Sequence, residues 1–396
     1  MKILILATDI YTRGGIARYS WTLASALGEL IGPDNVHVLA LLGSGQPQAT
    51  PKDFRILDPD ADRPTVAAKI RFAGKALQLA RKGCHLTICT HVALAPIAAA
   101  IRQLRGTPYW VACHGTEVWP RLPWPERLAL RHADRVLAIS RFTAERVARV
   151  NGVSQRRIVI LYNAIPDEFA RLLTCSDQPP RPAPSDGQRQ TILSVGMLSK
   201  ALSYKGFDMV IRALPKVIDA LPGVRYVIAG DGDDRENLRK LAFELGIGEH
   251  VEFKGEVSDD ELAALYRASD VFVLPSRVRE ENGNWQGEGF GRVYVEAALA
   301  GKPVIGSTHG GAAEAVLHGR TGLLVDPTSV SQVGDALLTL LRDADLATGM
   351  GRQGRSWARR KFTQEALRSE LAGLIDDTAS RVPSPGAAVN VLSQNG

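Results

Sequence analysis

The chain has 396 residues, of which 45% are hydrophobic, 23% charged and 6% aromatic; this make-up excludes collagen-like, coiled-coil and disordered proteins, and the length points to two domains with separate cores. The longest apolar runs, such as Leu94 to Ile101, fall short of the roughly 18 residues of a membrane span, and Asp9 ends the run Ile3 to Ala7 too early for a signal peptide, so a cytoplasmic protein is expected. Lys and Arg exceed Asp and Glu by 48 to 42, but residues 1–172 hold 23 against 13 and the remainder 25 against 29.

The basic first half implies an anionic partner: a pyrophosphate-bearing substrate, an acidic membrane surface or, least favoured, a nucleic acid. No aromatic-studded basic motif accompanies the scattered arginines, so no nucleic acid is expected. The four cysteines (Cys84, Cys89, Cys113, Cys175) lack CxxC spacing and read as small buried hydrophobes rather than a zinc site or disulfide framework.

In chain order, Lys2 to Ala7, Val36 to Leu41, Leu86 to Cys89, Tyr109 to Cys113, Arg135 to Ile139 and Ile158 to Leu161 are short apolar runs separated by helix-period segments such as Ala17 to Leu30. That alternation predicts buried parallel strands in a doubly wound α/β domain over residues 1–173. Residues 174–190 carry four prolines and no periodicity, as a linker does. The layout then repeats over 191–361 through Thr191 to Val195, Arg225 to Ala229, His250 to Phe253, Val271 to Leu274 and Pro303 to Ile305. Two Rossmann-like domains facing across a cleft are therefore expected, with a disordered tail over residues 380–396.

Several motifs fall at strand-to-helix junctions. Gly14-Gly15 follows the first strand, where a glycine turn and a helix N-terminus together suit an anion. Glu288-Gly289-Phe290-Gly291 leads into a helix that holds Glu296, placing one carboxylate at its start and one about two turns inside. Amides at Gly289 to Gly291 suit a diphosphate and sugar hydroxyls, and Glu296 suits a ribose; two solvated glutamates on an amphipathic helix are the alternative. Lys205-Gly206 offers a phosphate-facing cation, and Gly310-Gly311 a backbone nest. His114 ends a strand at the cleft side.

With these motifs the sequence resembles the retaining glycosyltransferases of family 4, whose fold is GT-B. The shared elements run in the family's order: Gly14-Gly15, His114-Gly115-Thr116-Glu117, Ile139-Ser140-Arg141-Phe142, Asn163-Ala164-Ile165, Lys205-Gly206, Gly230-Asp231-Gly232, Pro275-Ser276, Glu288 to Glu296, Gly310-Gly311 and Thr321-Gly322-Leu323-Leu324. The resemblance implies a nucleotide-sugar donor in the second domain and an acceptor in the first, with a final helix around 362–378 crossing back. It places Glu288 and His114 beside the donor sugar, Glu296 beside the ribose and Lys205 on the diphosphate. One position departs from the family pattern. Met197 follows Val195-Gly196 where an arginine is usual, leaving Lys200 as the substitute second cation.

A front-face reaction is implied, in which the departing diphosphate oxygen helps take the acceptor proton. Neither cofactor nor metal is expected, since Asp58-Pro59-Asp60 reads as a solvated turn. GDP-mannose is the favoured donor and a lipid-linked or polysaccharide acceptor the favoured partner, as in bacterial enzymes of glycolipid and exopolysaccharide assembly. A UDP-hexose with a soluble acceptor, or a non-catalytic sugar-nucleotide-binding subunit, remains open; a nicotinamide dehydrogenase is disfavoured because no GxGxxG follows the first strand. Residues 65–82 combine Lys69, Arg71, Lys75, Arg81 and Lys82 with an apolar stripe of Val66, Ile70, Ala73, Leu77 and Ala80. That pattern fits either a core-packed surface helix or reversible contact with the anionic inner leaflet of the membrane.

Overall fold

The computed structural model describes residues 1–12, 14–43, 51–57, 63–175 and 190–381. In the first half, strands β1 (Ile3–Ala7), β2 (Val36–Ala40), β3 (Arg55–Leu57), β4 (Leu86–Cys89), β5 (Tyr109–Cys113), β6 (Arg135–Ala138) and β7 (Ile158–Ile160) form one parallel sheet in the order β3-β2-β1-β4-β5-β6-β7. The apolar runs of the inner strands are continuous because both faces are covered: in β1, Ile3, Ile5 and Ala7 enter one core, and Leu4 and Leu6 the other. Helices α1 (Gly15–Ile31), α2 (Val66–Ala80), α3 (Ala95–Arg105), α4 (Trp124–His132) and α5 (Arg141–Asn151) supply the cover, whereas α6 (Asp167–Thr174) packs against the second half.

The second half contains α7 (Phe207–Ala220), α8 (Arg235–Glu244), α9 (Asp259–Ala268), α10 (Arg292–Leu299), α11 (Ala312–Ala315) and α12 (Val330–Arg342). Its parallel sheet is built from β8 (Thr191–Val195), β9 (Arg225–Ala229), β10 (Val251–Gly255), β11 (Val271–Val273), β14 (Val304–Ser307) and β15 (Gly322–Val325), in the order β10-β9-β8-β11-β14-β15. Between them a two-stranded antiparallel hairpin, β12 (Arg279–Glu281) and β13 (Asn284–Gln286), stands apart from the main sheet. Strand order reverses between β1 and β4 in the first sheet and between β8 and β11 in the second, the crevices where open α/β sheets bind ligands.

Helix α13 (Ala344–Lys361) leads into α14 (Gln364–Arg381), which returns to the first domain. Leu367, Leu371 and Ile375 repeat every four residues and enter its core. Gln364 donates to Ser25 Oγ and Glu29 Oε1, Arg368 pairs with Glu29, and Asp377 pairs with Arg135. At the junction, Ile165 N–H donates to Phe362 O (2.7 Å).

Several expectations need correction. Strands β3 and β15 and the hairpin have no counterpart among the predicted elements, and α14 runs on to Arg381, past the predicted start of the tail at Ser380. Cys175 is exposed and Cys84 half-buried, leaving only Cys89 and Cys113 as buried hydrophobes. The Asp58-Pro59-Asp60 turn, most of the linker and the rest of the tail lie outside the described residues.

Candidate functional site

The ends of β1, β4 and β5 form the first domain's side of the cleft. After β1, Asp9 Oδ1 accepts the N–H groups of Tyr11 (2.7 Å) and Thr12 (3.3 Å), a side-chain-closed turn that delivers Gly14 and Gly15 to the start of α1. The protein's own packing does not require glycine at Gly15: an added Cβ meets nothing within 4 Å, and both residues are exposed. Open space over a helix N-terminus is what an anionic ligand needs.

His114 lies immediately after β5 and is buried. Its ring Nε2 faces Thr90 O at 2.8 Å; a carbonyl only accepts, so Nε2 carries a proton and donates it there. The Tyr19 ring packs edge-on against the imidazole at 4.6 Å, and Glu117 Oε1 accepts the His114 backbone N–H. His114 is thereby fixed from three sides.

His91, at the end of β4, shares this cluster, and its Nδ1 accepts the Ala93 N–H (3.1 Å), which requires a neutral ring. Burial pushes its pKa below the ordinary value; the Glu117 carboxylate opposes this and His114 adds to it. Because the folded value lies below the unfolded one, the folded state is stabilised at pH above about 6.5 and weakens as pH falls below that value. The Tm of the wild type should therefore drop between pH 7.5 and pH 5.5. In His91→Asn, which keeps a capping acceptor without a titrating ring, the drop should be smaller; an equal drop would clear His91 of this role.

Opposite, the second domain presents Lys205 and Glu288. Lys205 ends the short 3₁₀ segment Lys200–Lys205 after β8, and Gly206 follows with φ +83°, where a Cβ would meet Pro275 O at 2.3 Å. That close approach explains the Lys-Gly pair: only glycine lets the loop turn against Pro275 and send the lysine inward. Lys205 Nζ pairs with Glu288 Oε1, both side chains being largely buried. Gly291, with φ +81°, caps α10 and leaves the amides of Gly289 to Gly291 at its start. Gly289 sits so close to the first domain that a Cβ would stand 1.8 Å from His114 O. The candidate groups of both domains thus meet at one point.

Other candidates sit differently from expectation. Glu296 is one turn inside α10 rather than two, because the helix begins only at Arg292. It is 2% exposed, accepting from Tyr266 Oη (2.9 Å) and Arg292 Nε (3.0 Å), so a ribose would have to share it with these partners. The Phe290 side chain belongs to an interdomain aromatic cluster with Tyr162 and Phe362, which leaves only its main chain for a ligand. Lys200 is exposed, and its backbone N–H donates to Asp233 Oδ1 (2.8 Å), a carboxyl held below its usual range chiefly by that bond. Met197 is 60% exposed and lines a groove between α7 and α8. Among the described residues, no three His, Cys, Asp or Glu side chains come together as a metal-binding group.

Three interdomain contacts had no distinct sequence signal. Glu314, beside the Gly310-Gly311 nest, accepts the Arg141 and Phe142 N–H groups (2.9 Å each) at the start of α5, and Tyr162 Oη at 3.2 Å. Arg18 pairs with Asp259 across the cleft (3.2 Å). Trp285 of the hairpin lies under the Arg146 guanidinium, 3.6 Å from its ring centroid, and edge-on to Trp119. Paired aromatics next to basic residues mark such a contact only once the partner element is known.

Two doubly wound domains closed on a glycine-rich, cation-bearing cleft define a GT-B glycosyltransferase. The chain belongs to glycosyltransferase family 4: residues 13–169 match "Glycosyltransferase Family 4" and residues 177–357 "Glycosyl transferases group 1". It is 32% identical to the GDP-mannose-dependent alpha-(1-6)-phosphatidylinositol monomannoside mannosyltransferase of Mycobacterium tuberculosis, over 96% of this chain and 99% of that protein. The protein so named from Mycolicibacterium smegmatis is 33% identical over 94% and 98%. Among solved structures, Anabaena HepE in complex with UDP and glucose superposes with a TM-score of 0.73 at 20% identity, covering 95% of this chain and 99% of HepE. A glycosyltransferase from Rickettsia africae gives a TM-score of 0.79 at 16% identity, over 96% and 99%. These likenesses bear out the expected fold and the expected enzyme class.

Proposed function

We propose that the enzyme transfers mannose from GDP-mannose to a lipid-linked acceptor with retention, forming an α linkage. The observation that carries this reading is the Lys205–Glu288 pair at the glycine-led start of α10, set against His114, in a chain similar along its length to GDP-mannose-dependent mannosyltransferases. Lys205 and the amides of Gly289 to Gly291 would hold the diphosphate and stabilise the charge that grows on it as the glycosidic bond breaks. His114 Nδ1 would accept a hydrogen bond from the sugar or the acceptor hydroxyl, while the leaving oxygen takes the acceptor proton. The Gly14-Gly15 turn would add its amides from the opposite side.

In this reading no metal is needed, since a lysine and two helix N-termini supply the positive charge. Purified protein offered GDP-mannose, UDP-glucose and a phosphatidylinositol-type acceptor in EDTA should release GDP from GDP-mannose and glycosylate the lipid. Preference for a UDP-sugar would overturn the donor, and loss of transfer in EDTA the metal independence.

The surface of α2 favours a membrane-borne acceptor. Ala68, Phe72, Ala76 and Ala80 face the core, whereas Val66 (75%) and Ile70 (67%) are exposed beside Lys69 and Arg71. The helix is thus packed on the core through a face offset from the expected stripe, whose first two residues stand open at its N-terminal end. Among the described residues no helix is long and apolar enough to cross a membrane. Each basic residue close to an anionic bilayer contributes on the order of 1 kcal/mol, fading within a Debye length. The protein should sediment with acidic-lipid vesicles at low salt and leave them as salt rises. Joint replacement of Lys69, Arg71 and Lys75 by Glu should reduce this and transfer to lipid while sparing donor hydrolysis. Equal binding to neutral and acidic vesicles, or to neither, would refute the docking.

A further inference from the structure

A small cavity between the domains is lined by Gly15 and Tyr19 of α1, Asn163 after β7, and Arg292 of α10. Two of these residues carry buried polar atoms with no hydrogen-bond partner: Tyr19 Oη and Asn163 Oδ1. Tyr19 is 6% exposed as a whole. Leaving a hydroxyl and an amide oxygen buried and unpaired is costly, and native structures rarely do so without a reason. Both atoms belong to residues around the same space, beside an arginine.

Arg292 is itself largely buried, and among the described residues only its Nε is engaged, on Glu296 Oε1. Its terminal nitrogens remain available at the start of α10, one position after the glycine that caps the helix. On the other wall, α1 begins at the exposed Gly15, a seventeen-residue helix whose N-terminus favours negative charge. The position expected to bring a second cation holds Met197 instead, which lines the groove between α7 and α8.

Resting on the donor-site reading above, we propose that Arg292 is the second cation of the donor site. Its terminal nitrogens bind the ribose-proximal phosphate of the leaving nucleoside diphosphate, while from the first domain Tyr19 Oη donates to a phosphate oxygen and Asn163 Oδ1 accepts from a ribose hydroxyl. Charge that the usual arginine would supply after β8 is delivered from α10. The nucleotide is then gripped by both domains at once, so donor binding and cleft closure become one event. Glu296 serves two ends in this arrangement, orienting Arg292 through their i,i+4 pair while meeting the ribose.

The test is ligand-detected NMR and calorimetry with GDP, UDP and guanosine on wild type, Arg292→Ala, Arg292→Lys and Tyr19→Phe, each checked for folding by thermal melt. Arg292→Ala should weaken GDP binding by about ten- to a hundredfold, the scale of charge-assisted hydrogen bonds, and leave guanosine binding unchanged. Arg292→Lys should recover part of the loss, and Tyr19→Phe should weaken GDP binding by a few-fold. An equal loss of GDP and guanosine binding in Arg292→Ala would overturn the proposal, showing that Arg292 acts only by holding Glu296 against the ribose; unchanged GDP binding would overturn it too. A wild type that binds neither GDP nor UDP would instead overturn the donor-site reading on which it rests.

Discussion

Replacing Lys205 with alanine should lower kcat by about a hundred- to a thousandfold, the scale seen when one charge-stabilising group is removed from a site where charge develops. The donor's KM should change far less, because the lysine meets more negative charge in the transition state than in the ground state. The variant carries a second cost, since Glu288, paired with Lys205 and largely buried, loses its partner. Breaking such a pair from one side can destabilise by about 3 kcal/mol, so Tm should fall as well. Adding Glu288→Gln isolates the stability cost: the double variant should regain Tm. A single variant changed only in KM would remove Lys205 from the role of stabilising the leaving group.

Gly289→Ala is the second large effect expected, and it acts through the spacing of the domains. The added Cβ would stand 1.8 Å from His114 O, an overlap that the two domains can relieve by standing apart. Tm should therefore change little, while kcat/KM falls by about a hundredfold, the cost of displacing reacting groups by roughly 1 Å. Small-angle scattering with donor present should show a larger radius of gyration than for the wild type. Gly311→Ala provides the contrast. Its Cβ would meet Gly289 O at 1.8 Å, with both residues in the second domain. No domain movement relieves that overlap, so the variant should lose stability by about 1–3 kcal/mol. If Gly289→Ala proved as unstable as Gly311→Ala while keeping its specific activity, the packing of Gly289 would serve folding alone.

The inner parallel strands were legible because they are buried on both faces and so read as unbroken apolar runs: Ile3–Ala7 and Tyr109–Cys113 are buried at every position. Strand β3 was not, because Arg55 is exposed and its neighbours are only half-buried at the edge of the sheet. Strand β15 was hidden by Gly322, a poor strand former used there because a Cβ would stand 2.0 Å from Val304 O. In the site, Lys205, Glu288 and His114 follow strand ends or precede a helix, where local pattern announces them. Arg292 and Glu314 gave no such warning, since an arginine in a helix and a glutamate after a glycine pair look solvated until the opposite domain is in place. Nor did the sequence foretell that the loop of Lys200 is tied by its backbone to Asp233.

The return of α14 to the first domain has a mechanical consequence. The backbone crosses back to the first domain at Phe362, where Ile165 N–H is bonded to Phe362 O, and α14 is then held there by Gln364, Arg368 and Asp377. A parting of the two domains that keeps these bonds must pivot near Phe362, so the displacement of Lys205 and Gly289 from His114 would grow with their distance from that point.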